Sequence, residues 1–331
     1  MSEEQSCTSK PLVSILILNW NGEKVLRENI TSVLESRYRP IEVVVVDNAS
    51  TDSSLDIIRS FPQVILVANN ENAGYAEGNN IGFRKCRGKY IATLNNDVVV
   101  DPDWLGEPVR ILEKFSDTGC VSCRQMNYSD RNTIDTLYSF PERHLLLGRF
   151  GHGKIFDVSR TLYGEAGHVI GANGASAIYR ARMIEDLCGF EGKFFAYQEE
   201  CDLHMRAFYA GWKCVYTPSA IVYHKGSHSF DRMKAVFYYY HERNRIWFIY
   251  RNFPLSLLLR FLPVLLLREM RTFINMALRR RMAGTYFRAR RDGFYGMFQF
   301  RELRRGNMAA FALRRREFLN FMKRKKTALG S

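Results

Sequence analysis

Acidic residues are scarce in the last third of this chain. Residues 231–331 hold 6 Asp and Glu against 24 Lys and Arg, whereas residues 1–230 hold 28 acids against 24 bases. The entire excess behind the net charge of +14 therefore lies C-terminally. A basic segment on a near-neutral body points to an anionic partner, a membrane surface or a nucleic acid. Long apolar runs are lacking too. The nearest to one, Ile246 to Leu267, is broken by Arg251, Pro254, Arg260 and Pro263. A spanning helix needs about 20 mostly apolar residues, and an arginine at its centre is costly. The pattern predicts instead a segment lying in the membrane interface, with Lys and Arg reaching the headgroups. Residues 270–282, 286–300 and 308–322 repeat the mixture of Phe, Met and Leu with Arg, ending in the cluster Lys323–Arg324–Lys325–Lys326. This aliphatic content, without an RNA-binding motif, argues against nucleic acid. An anionic membrane surface is the expected partner and a subunit interface the alternative.

Disulfide-forming cysteines are not indicated either. The seven cysteines are an odd number in a long chain, which fits buried or incidental thiols in a reducing compartment. Cys120 and Cys123 have metal-knuckle spacing, but no second Cys/His pair stands at a suitable distance to complete a zinc site. No G-x-x-x-x-G-K-[ST] and no G-x-G-x-x-G follows the first apolar run, so any nucleotide is held in another way. Residues 1–10 are polar, carry Glu3 and Glu4, and do not read as a signal peptide.

What is present is a regular alternation. Val13 to Leu18, Ile41 to Val46, Val64 to Val67 and Tyr90 to Leu94 are short apolar runs typical of buried strands. Helical spacing follows each of them, over 23–36, 52–61, 76–86 and 104–114. Asn21 is a candidate cap for the first helix. Near-continuous apolar strands separated by helices predict a mostly parallel sheet covered on both faces. Ligands of such sheets bind beyond the carboxyl ends of the strands. Polar side chains gather at those ends: Asn19 and Asn21, Asp47 and Asn48, Asn95 and Asp97. Asn and Asp are ordinary turn residues, but three clusters at equivalent strand ends favour a site.

Five ordered segments carry a resemblance: SILILNWNG, VVVDNASTD, NENAGYAEGNN, LNNDVVVDPDWL and FFAYQEECDLHMRAFYAGWKCVYTPSAIVYHKGSHS. Together they resemble the inverting family 2 glycosyltransferases of GT-A fold, and most of all the bacterial rhamnosyltransferases of surface-polysaccharide synthesis. The likeness runs from about Val13 to Ser229. It implies a GT-A domain over residues 11–230, after a polar tail (1–10) and before a helical, basic, amphipathic region (231–331).

The resemblance also implies roles. Asp47 is expected to accept a hydrogen bond from a uracil or thymine imide, with Asn19, Asn21, Asn48 and Asn96 around base and ribose. Asn72, Gly74 and Asn79 match a loop that closes over the nucleoside. Asp97 is the kept acid of a D-x-D metal motif in which Asn95 replaces the first Asp, and His224 completes the metal set. Gly171, Asn173 and Gly174 match the lining of the donor sugar and acceptor entrance. Glu200 stands where the family's catalytic base usually is an Asp, with Glu199 and Asp202 as rivals.

The implied chemistry is in-line attack of an acceptor hydroxyl on an anomeric carbon, helped by a general base. A Mg2+ or Mn2+ ion would stabilise the leaving diphosphate. The expected donor is a dTDP- or UDP-sugar, with dTDP-rhamnose the leading candidate, and the expected acceptor a lipid-linked or growing surface glycan. The expected place is the cytoplasmic face of the cell membrane, with peripheral attachment. The alternatives are a UDP-hexose donor, and a non-catalytic nucleotide-sugar-binding protein, which the departures at Asn95 and Glu200 permit. A nucleotidyltransferase would show a Gly-rich loop where Asn19–Trp20–Asn21–Gly22 stands.

Overall fold

Alternation along the first strands decides which way each element faces. The structure, a computed structural model, describes residues 9–142, 145–157, 165–226 and 234–328. Strand β1 (Val13–Asn19) sends Val13, Ile15 and Ile17 to one side of the sheet, where they meet Leu26, Ile30 and Val33 of helix α1 (Leu26–Leu34). Leu16 goes to the other side, towards Ile81 and Phe83 of α3 (Gly74–Phe83). Strand β2 (Ile41–Asp47) splits likewise, Val43 and Val45 against Val44 and Val46. A period-two pattern that is apolar on both sides is what a doubly covered sheet needs. Helix α2 (Ser54–Arg59) and strands β3 (Val64–Ala68) and β4 (Tyr90–Asn95) complete the expected alternation.

Strands β3, β2, β1 and β4 are parallel neighbours. Beyond β4 the sheet becomes mixed. β5 (Val98–Val100) is followed by helix α4 (Gly106–Lys114) and strand β6 (Thr118–Asn127), which carries β7 (Ile134–Thr136) at its edge. β8 (Ser139–Pro141) and β9 (Leu147–Arg149) form a separate hairpin, and β10 (Gly167–Val169) is an edge strand. β11 (Ser176–Arg180) lies antiparallel between β4 and β6. After the short helix α5 (Ala181–Asp186) and helix α6 (Glu199–Ala210), β12 (Lys213–His224) runs parallel to β6. It also pairs antiparallel with β5, setting His224 opposite Val98.

Cys120 and Cys123 lie on β6, both buried, and their odd spacing sends them to opposite faces. They join different apolar clusters, so the two thiols of the C-x-x-C do not face a common site.

The C-terminal region is helical, as expected: α7 (Lys234–Asn252), α8 (Leu255–Arg260), α9 (Leu262–Phe273), α10 (Ala283–Gly296) and α11 (Arg301–Ala328). A π-helical turn spans Ile274–Arg279. Pro254 and Pro263 stand at the starts of α8 and α9 and divide the apolar run. Among the described residues no helix is long and apolar enough to cross a membrane.

The tail is no loose appendage. Trp247, Phe248, Phe253, Phe311 and Phe318 share one buried cluster with Phe194, Met205 and Phe208 of the α/β part. Arg251, buried, pairs with Glu191 at 2.9 Å and with Asp202 at 3.2 Å. The first eight residues and the stretch 227–233, which holds the expected boundary and the end of the fifth motif, lie outside the described residues. Phe248→Ala is expected to cost about 3–5 kcal/mol and to lower a single melting transition of the whole chain. Calorimetry resolving two transitions, with only one shifted, would mean two separate cores.

Candidate active site

The parallel register brings the polar strand ends level: Asn19 faces Asp47 across β1–β2, and Leu18 faces Asn95 across β1–β4. A buried relay of side chains then ties them together. Asn96 Nδ2 donates to Asn19 Oδ1 at 2.8 Å, and Asn19 Nδ2 donates to Asp47 Oδ1 at 2.8 Å. Ser50 donates to the same carboxylate twice, through Oγ at 2.6 Å and its backbone N–H at 2.9 Å. Asp47 is thus almost wholly buried and serves the turn that follows it. Asn21 does not cap α1, which begins after Val25 without a side-chain cap. It takes a left-handed conformation, φ 51°, and its Oδ1 accepts from Thr51 N–H at 2.8 Å. Gly22 has no substitute here, since a Cβ would fall 2.2 Å from Asn19 Oδ1 and 2.4 Å from Asn96 Nδ2.

Asn48 clasps the loop before α3. Its Nδ2 donates to Asn72 Oδ1 at 3.1 Å and to the Gly74 carbonyl at 2.9 Å, and its Oδ1 accepts from Asn69 Nδ2 at 2.8 Å. Gly74, at φ 78°, lies where a Cβ would meet the Phe195 backbone and ring at 2.5 Å. Asn48, Asn72, Gly74, Asn95 and Asn96 line a cleft of about 440 Å³. Its walls are aromatic: Trp20, Tyr75, Phe195, Tyr197, Phe237 and Tyr240. Such rings offer flat faces to a base or a sugar. Asn79 faces inward instead, buried, donating to the Tyr75 carbonyl within its own helix.

At the far end of the β4–β5 turn, Asp97 Oδ1 stands 3.3 Å from His224 Nε2. The other ring nitrogen, Nδ1, is 2.8 Å from Asp135 Oδ2. Burial disfavours a charged imidazole, yet the bonds to Asp135 and Asp97 outweigh it and hold the His224 pKa up to about 9. Asp135, buried but bound to His224, is held down to about 2. Among the described residues no group of three or more His, Cys, Asp and Glu side chains is placed to hold a metal ion. The described side chains alone offer fewer ligands than a structural metal needs. Among the described residues Asp97 Oδ1 is nonetheless buried with no partner but the His224 imidazole, 3.3 Å away, a ring whose second nitrogen a carboxylate orients. That arrangement fits an ion held by Asp97, His224 and the nearby Asn95 amide, with its remaining positions left to phosphate oxygens and water.

The acid cluster at the start of α6 divides sharply. Asp202 is fully buried and occupied, accepting from Arg206 Nε at 2.8 Å and Asn252 Nδ2 at 3.0 Å besides its pair with Arg251. It ties α6 to α7 through Arg251 and Asn252. Glu199 is buried as well, and that burial, followed by the charge of Glu200, raises its pKa well above the usual carboxylate range. Glu200 is half-buried and sits against Gly174, which leaves room for it: a Cβ at that glycine would lie 3.2 Å from the Glu200 side chain. The Gly174 carbonyl accepts from Tyr75 Oη at 2.8 Å, which joins Glu200 to the cleft wall. Burial and then Glu199 and Glu200 push the Tyr197 phenol in that wall up to about 12. Gly171 and Asn173 lie deeper. Gly171 packs on His204, and buried Asn173 holds the Cys123 carbonyl and the Ser176 N–H.

The approach to α6 is strained. Phe195, Tyr197 and Gln198 have φ of 66°, 71° and 74°, a region that costs a residue with a Cβ about 1–2 kcal/mol. Asn244 of α7 holds this loop, its Nδ2 lying 2.8, 2.7 and 2.8 Å from the carbonyls of Phe194, Ala196 and Tyr197.

A family model described as glycosyl transferase family 2 matches residues 14–187, more than half of the chain. The chain belongs to glycosyl transferase family 2. An uncharacterized glycosyltransferase of Haemophilus influenzae is 32% identical over 108 residues, 31% of this chain and 33% of its own length. The chain thus matches about a third of that relative. Among solved structures, Staphylococcus aureus TarS 1–349 in complex with UDP-GlcNAc superposes with a TM-score of 0.58 at 14% identity, covering 95% of this chain and 91% of TarS 1–349. The mannosyltransferase PcManGT of Pyrobaculum calidifontis, in complex with GDP-Man and Mn2+, gives 0.54 at 16%, covering 93% and 87%. These likenesses establish the GT-A fold.

Several residues of this family 2 site carry little or no signal in the sequence. Asp135 sits in a segment without a recognised motif, and its carboxylate has meaning only once β7 pairs with β6 beside His224. Phe237 and Tyr240, which the sequence pattern assigns to a membrane-facing stretch, wall the cleft instead. Asn244 carries no motif at all. Asp135→Asn is expected to weaken Mn2+-dependent UDP binding about 10–100-fold by calorimetry, and unchanged affinity would remove Asp135 from the site. Asn244→Ala takes from the Ala196 and Tyr197 carbonyls the side-chain donor they share and is expected to cost about 1–3 kcal/mol. Turnover should fall further than UDP affinity, which steady-state kinetics against UDP titration would reveal.

Proposed function

We propose that this family 2 protein transfers a sugar from a nucleoside-diphosphate donor to an acceptor hydroxyl by a single inverting displacement. The observation that carries the reading is the buried Asp97 Oδ1, 3.3 Å from the His224 imidazole, at the end of a cleft lined by amides and aromatic rings. Asp97, His224 and Asn95 would hold a Mg2+ or Mn2+ ion, which supplies Lewis-acid stabilisation of the diphosphate. The aromatic walls hold the nucleoside and sugar, and the Asn96–Asn19–Asp47 relay fixes the floor they rest on.

Glu200 is the general base. Two adjacent carboxylates whose environments differ take different roles: Glu199 is buried and its pKa is raised well above the usual carboxylate range, while Glu200 is half-buried beside Gly174, next to the cleft wall. Glu200 then accepts the acceptor's proton as its oxygen attacks the anomeric carbon. A dTDP- or UDP-sugar is the proposed donor, with dTDP-rhamnose the first to try. The UDP-hexose reading draws support from TarS, whose structure was solved with UDP-GlcNAc. The proposed acceptor is a lipid-linked or growing surface glycan, reached from the cytoplasmic face of the membrane by a peripherally bound enzyme. The basic tail and its exposed leucines support that placement.

A donor screen tests the class: nucleoside diphosphate release from one sugar nucleotide, dependent on Mn2+ or Mg2+ and lost in Asp97→Ala, is expected. No binding of any nucleotide sugar would sink it. Glu200→Gln is expected to lower kcat about 10²–10⁴-fold, and Glu199→Gln far less. The reverse order would make Glu199 the base.

A further inference from the structure

Helix α9 presents three different surfaces. Leu265 packs into the C-terminal core, and Glu269 pairs with Arg245 and Arg290. Leu262, Leu266 and Met270 stand exposed, continuing a row begun by Leu255 and Leu259 of α8. The third surface, with Val264, Leu267, Arg268 and Arg271, lines a cavity of about 740 Å³ closed by the π-helical turn 274–279. This cavity is separate from the sugar-nucleotide cleft. Phe237 and Tyr240 of α7 face the cleft, whereas Tyr238 and Glu242 face the cavity.

The cavity is cationic and amphiphilic. Arg268, Arg271 and Arg279 bring guanidinium groups to it, with Asn275 as a neutral polar partner. Its one lining acid among the described residues, Glu242, is already engaged by Arg245 at 3.1 Å and Arg290 at 2.8 Å. Arg271 and Arg279 are exposed and have no ion pair among the described residues. Burial, then the neighbouring Arg245 charge, pulls the Arg268 pKa down, against the opposing pull of Glu242, Glu142 and Glu269. Guanidinium groups match phosphate oxygens in shape and charge. Val264, Leu267, Ile274 and Met276 give the same cavity an apolar wall. Arginines beside exposed leucines suit one kind of ligand, an anionic headgroup carrying a hydrocarbon chain.

We propose that this cavity binds the phosphate or pyrophosphate headgroup of an amphiphile whose chain lies along the exposed leucines of α8 and α9. The acceptor reading above supplies the amphiphile's biological identity, but the binding does not depend on it. The headgroup belongs either to a lipid-linked acceptor or to a bilayer phospholipid, and the two can be told apart.

The test uses the full chain and the double variant Arg271→Ala/Arg279→Ala, two exposed positions outside the cleft, with UDP affinity and melting temperature as controls of folding. Farnesyl pyrophosphate is titrated beside inorganic pyrophosphate and farnesol. Vesicles of phosphatidylcholine with and without phosphatidylglycerol are sedimented with each protein. Farnesyl pyrophosphate is expected to bind about tenfold or more tightly than either half-molecule, and to weaken about as much in the double variant while UDP binding holds. Loss confined to farnesyl pyrophosphate would assign a lipid-linked ligand, and loss confined to phosphatidylglycerol vesicles a bilayer headgroup. Equal binding by wild type and variant to both probes overturns the proposal, as does farnesol binding as well as its pyrophosphate. A failed transfer assay with intact farnesyl pyrophosphate binding would remove the proposed function and leave this site standing.

Discussion

The site depends on one run of buried side-chain hydrogen bonds, from Asn96 through Asn19 to Asp47 and Ser50. Parallel strands leave their carboxyl ends facing the same way, but nothing in a sheet fixes the turns that follow. Here two amides and a carboxylate hold three of those turns at a set spacing. A buried carboxylate is costly unless its lone pairs are met, and Asp47 receives three donors. The relay also dictates the glycine after it, because any side chain at position 22 would occupy the relay's own space. Asn48, one residue beyond Asp47, extends the same scheme to the loop around Asn72 and Gly74.

The second constraint is supplied from far along the chain. The loop that presents Glu199 and Glu200 has left-handed residues that its own sequence does not favour. It is kept by Asn244, while Asp202 on the following helix is locked by Arg251 and Asn252. Breaking such a buried ion pair on one side costs about 3–5 kcal/mol. Arginines that look like part of a basic membrane-facing tail are therefore divided between two duties. Arg245, Arg251 and Arg290 are buried structural cations, while Arg271 and Arg279 remain exposed.

Legibility followed locality. The first four strands and their helices were readable because Val13 to Leu18 and its successors announce themselves by unbroken apolar runs. The polar strand ends were readable because Asn and Asp recur just where those runs stop. β6 was not legible, since Gly119, Cys120, Ser122, Cys123 and Gln125 give it no apolar rhythm although it is central in the sheet. The Asp97–His224 end of the cleft was half readable: both residues sit in motifs, but Asp135 reaches His224 only through a strand pairing that no local pattern encodes. Charge counting could not separate Arg251, buried against two acids, from Arg279, open to water, since both are arginines among leucines and aromatics.

The tether at Asn244 has a consequence for how the molecule comes into being. Synthesis delivers the relay, Asp97, Asp135, His224 and both glutamates before α7 exists. Until α7 emerges, the loop has its backbone bond to Ala76 but lacks the Asn244 amide that gathers the carbonyls of Phe194, Ala196 and Tyr197, and Phe237 and Tyr240 are not yet there to wall the cleft. The nascent chain is thus a floor without a workbench, and competence arrives only when the same helices that carry the exposed leucines have folded into place.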